Sequence, residues 1–132
     1  MGRRILFVDD EQPILNVLAT LFRPQGYSTL CTTDGREALE IVRREHIRVC
    51  FVDLRMPAMD GMELCRRIKD IEPSALVHAL SAFVDAYRPE QYRLAGFEGS
   101  VRKPFKIDAL LEAARAAFEK LEKSNPRPGN GS

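Results

Sequence analysis

Three aspartates, a serine and a lysine carry the chemistry open to this sequence. Asp9 and Asp10 follow the apolar run from Arg4 to Val8, and Asp53 closes the run from Val49 to Val52. Ser81 ends the run from Leu76 to Leu80, and Lys103 ends the run from Gly99 to Arg102. Three carboxylates drawn together repel, and either a raised pKa or a cation must offset this. A hard divalent ion is the simpler answer. Magnesium takes oxygen ligands in an octahedron, keeps several waters, and commonly shares its site between one or two carboxylates and a phosphate. A lysine nearby can hold an anion, and a hydroxyl can donate to a phosphoryl oxygen. Asp53 is thereby a candidate covalent phosphoacceptor.

The elements that must position these groups are legible in the hydrophobic pattern. Val49-Cys50-Phe51-Val52 reads as a strand buried on both faces, and Pro57 with Asp60-Gly61 takes the chain out of the sheet just after Asp53. Pro13 suits the first turn of a helix whose Ile14, Leu15, Val17, Leu18, Leu21 and Phe22 recur at helical spacing up to Pro24-Gln25-Gly26. A second strand runs from Tyr27 to Thr32. Asp34 and Glu37 then resemble a capping box opening a helix with Ala38, Leu39, Ile41 and Val42 on one face. A helix from about Asp60 to Ile71 turns Met62, Leu64, Cys65 and Ile68 inward, with Asp60 as its cap. After the fourth strand a helix either starts late, near Pro89, or is kinked there, the fifth strand is short, and a last helix runs from Phe105 or Lys106 to about Glu122, striped by Ile107, Leu110, Leu111, Ala114 and Phe118. Five strands alternating with five helices predict a three-layer, doubly wound α/β domain over residues 1–122, with 123–132 as a flexible tail or linker. All five chemical residues then lie at strand ends of one polarity, the edge at which open parallel sheets bind ligands.

Composition narrows the class. A chain of 132 residues, 45% hydrophobic and 30% charged, suits one soluble domain, and a formal charge of +1 provides no field for nucleic acid or an anionic membrane. No membrane-length apolar run or cleavable leader is evident, so a cytoplasmic protein is expected. Cys31, Cys50 and Cys65 lack metal-ligand spacing and read as buried thiols, and His78 reads as a core histidine inside its strand. An aspartate after a strand is most often a turn former or cap. It is the company of Asp9, Asp10, Ser81 and Lys103 that raises Asp53 above that reading.

In this order and at this spacing, the four motifs Asp9-Asp10, VDLRMPAMDG around Asp53, Ser81-Ala82 and Lys103-Pro104 closely resemble the receiver domain of two-component response regulators, from Arg4 to about Leu121. The resemblance implies a flavodoxin-like sheet of order 2-1-3-4-5 and phosphorylation of Asp53 by a sensor histidine kinase or phosphotransfer protein. It also implies a magnesium ion, or manganese in its place, held by Asp10, Asp53 and the backbone carbonyl of Arg55, with Asp9 acting through water. Lys103 would hold the phosphoryl group, Ser81 would contact it, and the Lys103–Pro104 bond is often cis in this family. Such a domain is a phosphoprotein and signalling switch that catalyses only its own phosphorylation and dephosphorylation. Its partners are the kinase and a downstream effector or linked output domain, with neither nucleic acid nor membrane bound directly; homodimerisation on phosphorylation is a further option.

Rival readings fit less well. A haloacid-dehalogenase-type phosphohydrolase places a second aspartate two residues after the nucleophile, where this chain has Arg55. A degenerate receiver acting as a phosphorylation-independent interaction module would normally have lost the acidic pair or the acceptor. No G-x-G-x-x-G or P-loop follows any strand. Two departures bear on behaviour. Arg55 and Phe83 flank the path of hydrolytic water in receivers and should slow loss of the phosphoryl group. Ser100 stands where receivers usually carry an inward-swinging aromatic, which implies a weakened switch unless another ring such as Phe97 takes over.

Overall fold

The computed structural model describes residues 3–82 and 84–124, so Phe83 and residues 125–132 of the expected tail lie outside the described residues. Strands and helices alternate as β1 (Arg3–Val8), α1 (Gln12–Phe22), β2 (Tyr27–Thr32), α2 (Gly35–Glu45), β3 (Val49–Asp53), α3 (Gly61–Ile71), β4 (Leu76–Ser81), α4 (Pro89–Ala95), β5 (Phe97–Arg102) and α5 (Ile107–Ser124). Every pairing is parallel, and the sheet order is β2-β1-β3-β4-β5.

Side chains alternate across the sheet with the period of two that a pleated strand imposes. Leu6, Val8, Cys50, Val52, Val77 and Ala79 pack under α2, α3 and α4. Ile5, Phe7, Val49, Phe51, Leu76 and Leu80 pack under α1 and α5. Phe7, Phe22 and Phe51 are fully buried, with Phe7 edge-on to Phe22 at 5.0 Å and stacked on Phe51 at 5.5 Å. Burying each such ring stabilises the fold by about 2–3 kcal/mol. His78 belongs to the second face, as expected of a core histidine: its ring stacks on Phe51 at 5.0 Å, and burial lowers its pKa.

Several local readings change. The inner face of α1 is narrower than its apolar spacing: Leu15, Leu18, Ala19 and Phe22 are buried, whereas Val17 is 52% and Leu21 37% exposed. At about 100° per residue, Val17 lies some 200° round the helix from Leu15, on the side away from the sheet. The capping box of α2 is half made. Asp34 accepts from the backbone N–H of Arg36 at 3.0 Å, but the Glu37 carboxylate takes the Thr32 hydroxyl instead. Asp60 caps α3 as read, accepting from the Glu63 N–H at 2.9 Å. β5 starts at Phe97 rather than Gly99, because the register shifts opposite Val77 and His78 and leaves Glu98 as a bulge. α5 starts at Ile107 and continues to Ser124, past Glu122. No described helix is long and apolar enough to cross a membrane.

Candidate functional site

The carboxyl ends of β1, β3, β4 and β5 form one rim because parallel strands share their polarity. Asp9 follows β1 directly and Asp53 is the last residue of β3. Ser81 ends β4, one residue beyond the partner of Asp53, and Lys103 follows β5. The rim is tied together by the backbone as well: the Lys103 N–H donates to the Ser81 carbonyl at 3.0 Å, and the Leu54 N–H to that of Leu80 at 3.2 Å.

Carboxylate oxygens of Asp9, Asp10 and Asp53 lie within 4.8 Å of one another. Asp9 is fully buried and Asp10 exposed. The Lys103 ammonium stands between two of them, 2.6 Å from Asp9 Oδ2 and 3.5 Å from Asp53 Oδ2. Asp9 Oδ1 also accepts from the Glu11 N–H at 3.0 Å, and Asp53 Oδ1 from the Arg55 N–H at 3.2 Å. Ser81 is almost wholly buried.

Electrostatics follow from this crowding. Burial, above all, raises the pKa of Asp53 to about 6; the Arg55 N–H opposes this, Asp9 adds to it, Lys103 opposes it and Asp10 adds to it. Burial by itself would lower the pKa of Lys103, but its hydrogen bond and charge contact with Asp9, and then the charge of Asp53, outweigh it and raise the value. One ammonium shared among three carboxylates leaves a deficit of positive charge. A hard cation fits that deficit, because the donors are all oxygens and the exposed Asp10 opens the cluster to solvent.

Residues 5–115 match the response regulator receiver domain family. The chain belongs to that family. Among receiver relatives, it is 31% identical over 115 residues to sporulation initiation phosphotransferase F of Bacillus subtilis (strain 168), covering 87% of this chain and 93% of that protein. It is 35% identical over 116 residues to the regulatory protein AtoC of Escherichia coli (strain K12), covering 88% of this chain but only 25% of AtoC. The signal receiver domain of an HD domain-containing protein from Pseudomonas fluorescens Pf-5 superimposes with a TM-score of 0.87 at 27% identity, over 96% of this chain and 93% of that one. A CheY-like receiver domain protein from Methanospirillum hungatei JF-1 gives 0.86 at 24% identity over 94% and 99%, a likeness of fold. Receiver domains are signalling domains rather than conventional enzymes.

The rim thus brings the side chains of Asp9, Asp10, Asp53 and Lys103 together, with Ser81 at the adjoining end of β4, and the Lys103–Pro104 bond is cis. Two features of this receiver are not readable from residue spacing. Lys103 sits closer to Asp9, the more deeply buried carboxylate, than to Asp53. Gly61, at the start of α3, is pressed so tightly against β3 that an ideal Cβ would lie 2.5 Å from the Asp53 carbonyl oxygen. The only sequence signal for the second is a glycine directly after a helix cap, which turn chemistry explains equally well.

Proposed function

We infer that this receiver accepts a phosphoryl group onto Asp53 from a phosphohistidine on a sensor kinase or phosphotransfer protein, and passes the change to an effector or linked output domain. The observation that supports this best is the juxtaposition at one rim of three carboxylates within 4.8 Å and an ammonium 3.5 Å from Asp53. An Asp53 oxygen attacks phosphorus, the P–N bond to the imidazole breaks, and the neutral histidine leaves with its electron pair. Asp10, Asp53 and the Arg55 carbonyl would hold a magnesium ion, with Asp9 acting through water, and the ion would supply positive charge for the phosphoryl oxygens. Lys103 transfers its contact from Asp9 towards a phosphoryl oxygen, and the Ser81 hydroxyl donates to another. Ser100, exposed on β5, brings no ring to this change. Phe97 is already committed to the core beneath α4, edge-on to Tyr92 at 5.8 Å. The signal therefore rests mainly on Ser81, Lys103 and the segment leading to α4.

Incubation with a small phosphodonor and magnesium should add one phosphoryl group to the intact mass of the wild type and none to Asp53→Asn. Incorporation at the wild-type level in that variant refutes the assignment. Magnesium should raise the melting temperature by mass action, and Asp10→Ala should remove most of that rise. An unchanged magnesium titration in Asp10→Ala would exclude this carboxylate from the metal site.

A further inference from the structure

The feature that the signalling reading does not use lies on the other face of β5. His78, more than nine-tenths buried in β4, has an Nδ1 with no hydrogen-bond partner. It also lines a cavity of about 590 Å³ between β5 and α5. The bulge at Glu98 brings Gly99 into register with His78. Gly99 does not have a positive φ. A Cβ there would meet only the imidazole, at 3.4 Å from Cδ2 and 3.8 Å from Nε2. Neither backbone strain nor steric exclusion demands a glycine at this place. Its effect is that no side chain at this position of β5 lies over the Cδ2–Nε2 edge of His78, and a glycine inside a strand often marks the close approach of a ligand.

The proton of the neutral ring belongs on Nε2, since a proton on Nδ1 would be a buried donor without an acceptor. His78 therefore offers an N–H at the floor of the cavity. The α5 wall opposite is small and apolar, Ala109 and Ala113, which gives a slot rather than a bowl. At its mouth, Arg102 is paired with Asp85 at 2.7 Å and Glu112 is held by Arg115. Lys106 also lines the cavity and makes no side-chain hydrogen bond or ion pair among the described residues.

We propose that this slot binds a small planar aromatic carboxylate, its ring inserted over Gly99 against Ala109 and Ala113 and its carboxylate on Lys106 and the His78 N–H. A flat ring suits the gap between Gly99 and the small Ala109 and Ala113 side chains, with Val101 beside it, and Lys106 selects an acid. The site is separate from the acidic rim, and it does not require phosphorylation of Asp53.

The test is a titration of the full chain with benzoate, followed by amide and imidazole chemical shifts, with acetate and benzyl alcohol supplying the carboxylate and the ring separately. Benzoate should saturate with a Kd in the millimolar range, as befits so few atoms, and should move Gly99, Val101, Ala109, Ala113 and the His78 ring protons. Acetate and benzyl alcohol should each bind at least about threefold more weakly, and Lys106→Gln should weaken benzoate about threefold. Gly99→Val fills the slot from the sheet. Ala109→Leu fills it from the exposed side of α5, where folding is not at risk, and should abolish saturation by itself. Shifts that do not saturate, that are centred on Asp53 and Lys103 instead, or that survive Ala109→Leu overturn the proposal.

Discussion

Gly61→Ala should destabilise the protein by about 3 kcal/mol, in the range of a forced overpacking, although it exchanges one small residue for another. The ideal Cβ would stand 2.5 Å from the Asp53 carbonyl oxygen, 2.7 Å from Leu54 Cα and 3.1 Å from the Asp53 carbonyl carbon. All three are backbone atoms, so no rotamer relieves the clash. The close approach is itself used, because the Gly61 N–H donates to the Leu54 carbonyl at 2.9 Å while Asp60 caps the same helix. To admit a methyl group, the start of α3 must move by about 1 Å, since carbon atoms sit comfortably only at about 3.5–4.0 Å. That movement pulls on Asp53 and Leu54, so phosphoryl uptake should slow along with the loss of stability. Gly26→Ala is the informative control. Gly26 has a φ of +95° but nothing within 4 Å of the added atom, so its cost is the left-handed strain of about 1 kcal/mol. Urea unfolding of both variants decides the matter. A loss at Gly61 no larger than that at Gly26 would show that contact with β3 does not set the price.

Asp53→Asn should have the opposite sign. In metal-free buffer at pH 7 it should stabilise the fold by about 2 kcal/mol, a little under the full value of a two-unit pKa shift because neighbouring charges relax. The sign follows from the proton balance. The folded carboxyl holds its proton up to about pH 6, against an ordinary value of 3.8. Below the ordinary value both states are protonated, and the group costs nothing. As pH rises through the window between the two values, the unfolded chain ionises first and the folded state loses stability. Above about 6 the penalty is complete. The advantage of the asparagine variant should therefore shrink as pH is lowered from 7 towards 4. Magnesium at pH 7 should narrow the difference by stabilising the wild type more than the variant. Unfolding curves at several pH values, with and without magnesium, provide the check; a wild type more stable than Asp53→Asn in metal-free buffer at pH 7 would contradict it.

The sequence by itself determined the architecture and which polar residues stand at the carboxyl ends of the strands. Buried parallel strands must be nearly continuous apolar runs, and a polar residue at the end of each is visible against that background. Asp9, Asp53, Ser81 and Lys103 are therefore legible as strand-end residues before any distance is known. Helix starts at Asp60 and Pro89 are equally local, since capping and proline geometry depend on a few neighbouring residues.

What only the tertiary structure decided depends on contacts between elements. Val17 and Leu21 have the composition of core residues, but α1 can turn only one side to the sheet, and Leu15, Leu18 and Phe22 occupy it. Glu37 fits a capping box by spacing, yet the Thr32 hydroxyl at the end of β2 is its partner. The early start of β5 rests on a bulge at Glu98, which is a matter of register with β4. The same bulge sets Gly99 over His78, and the path of α3 sets Gly61 against Asp53. That Lys103 lies nearer Asp9 than Asp53 is a matter of how the ends of β1, β3 and β5 meet. Periodicity and spacing encode which face a residue takes and where an element ends; the distances that tune the charge of Asp53 arise only when four strand ends meet.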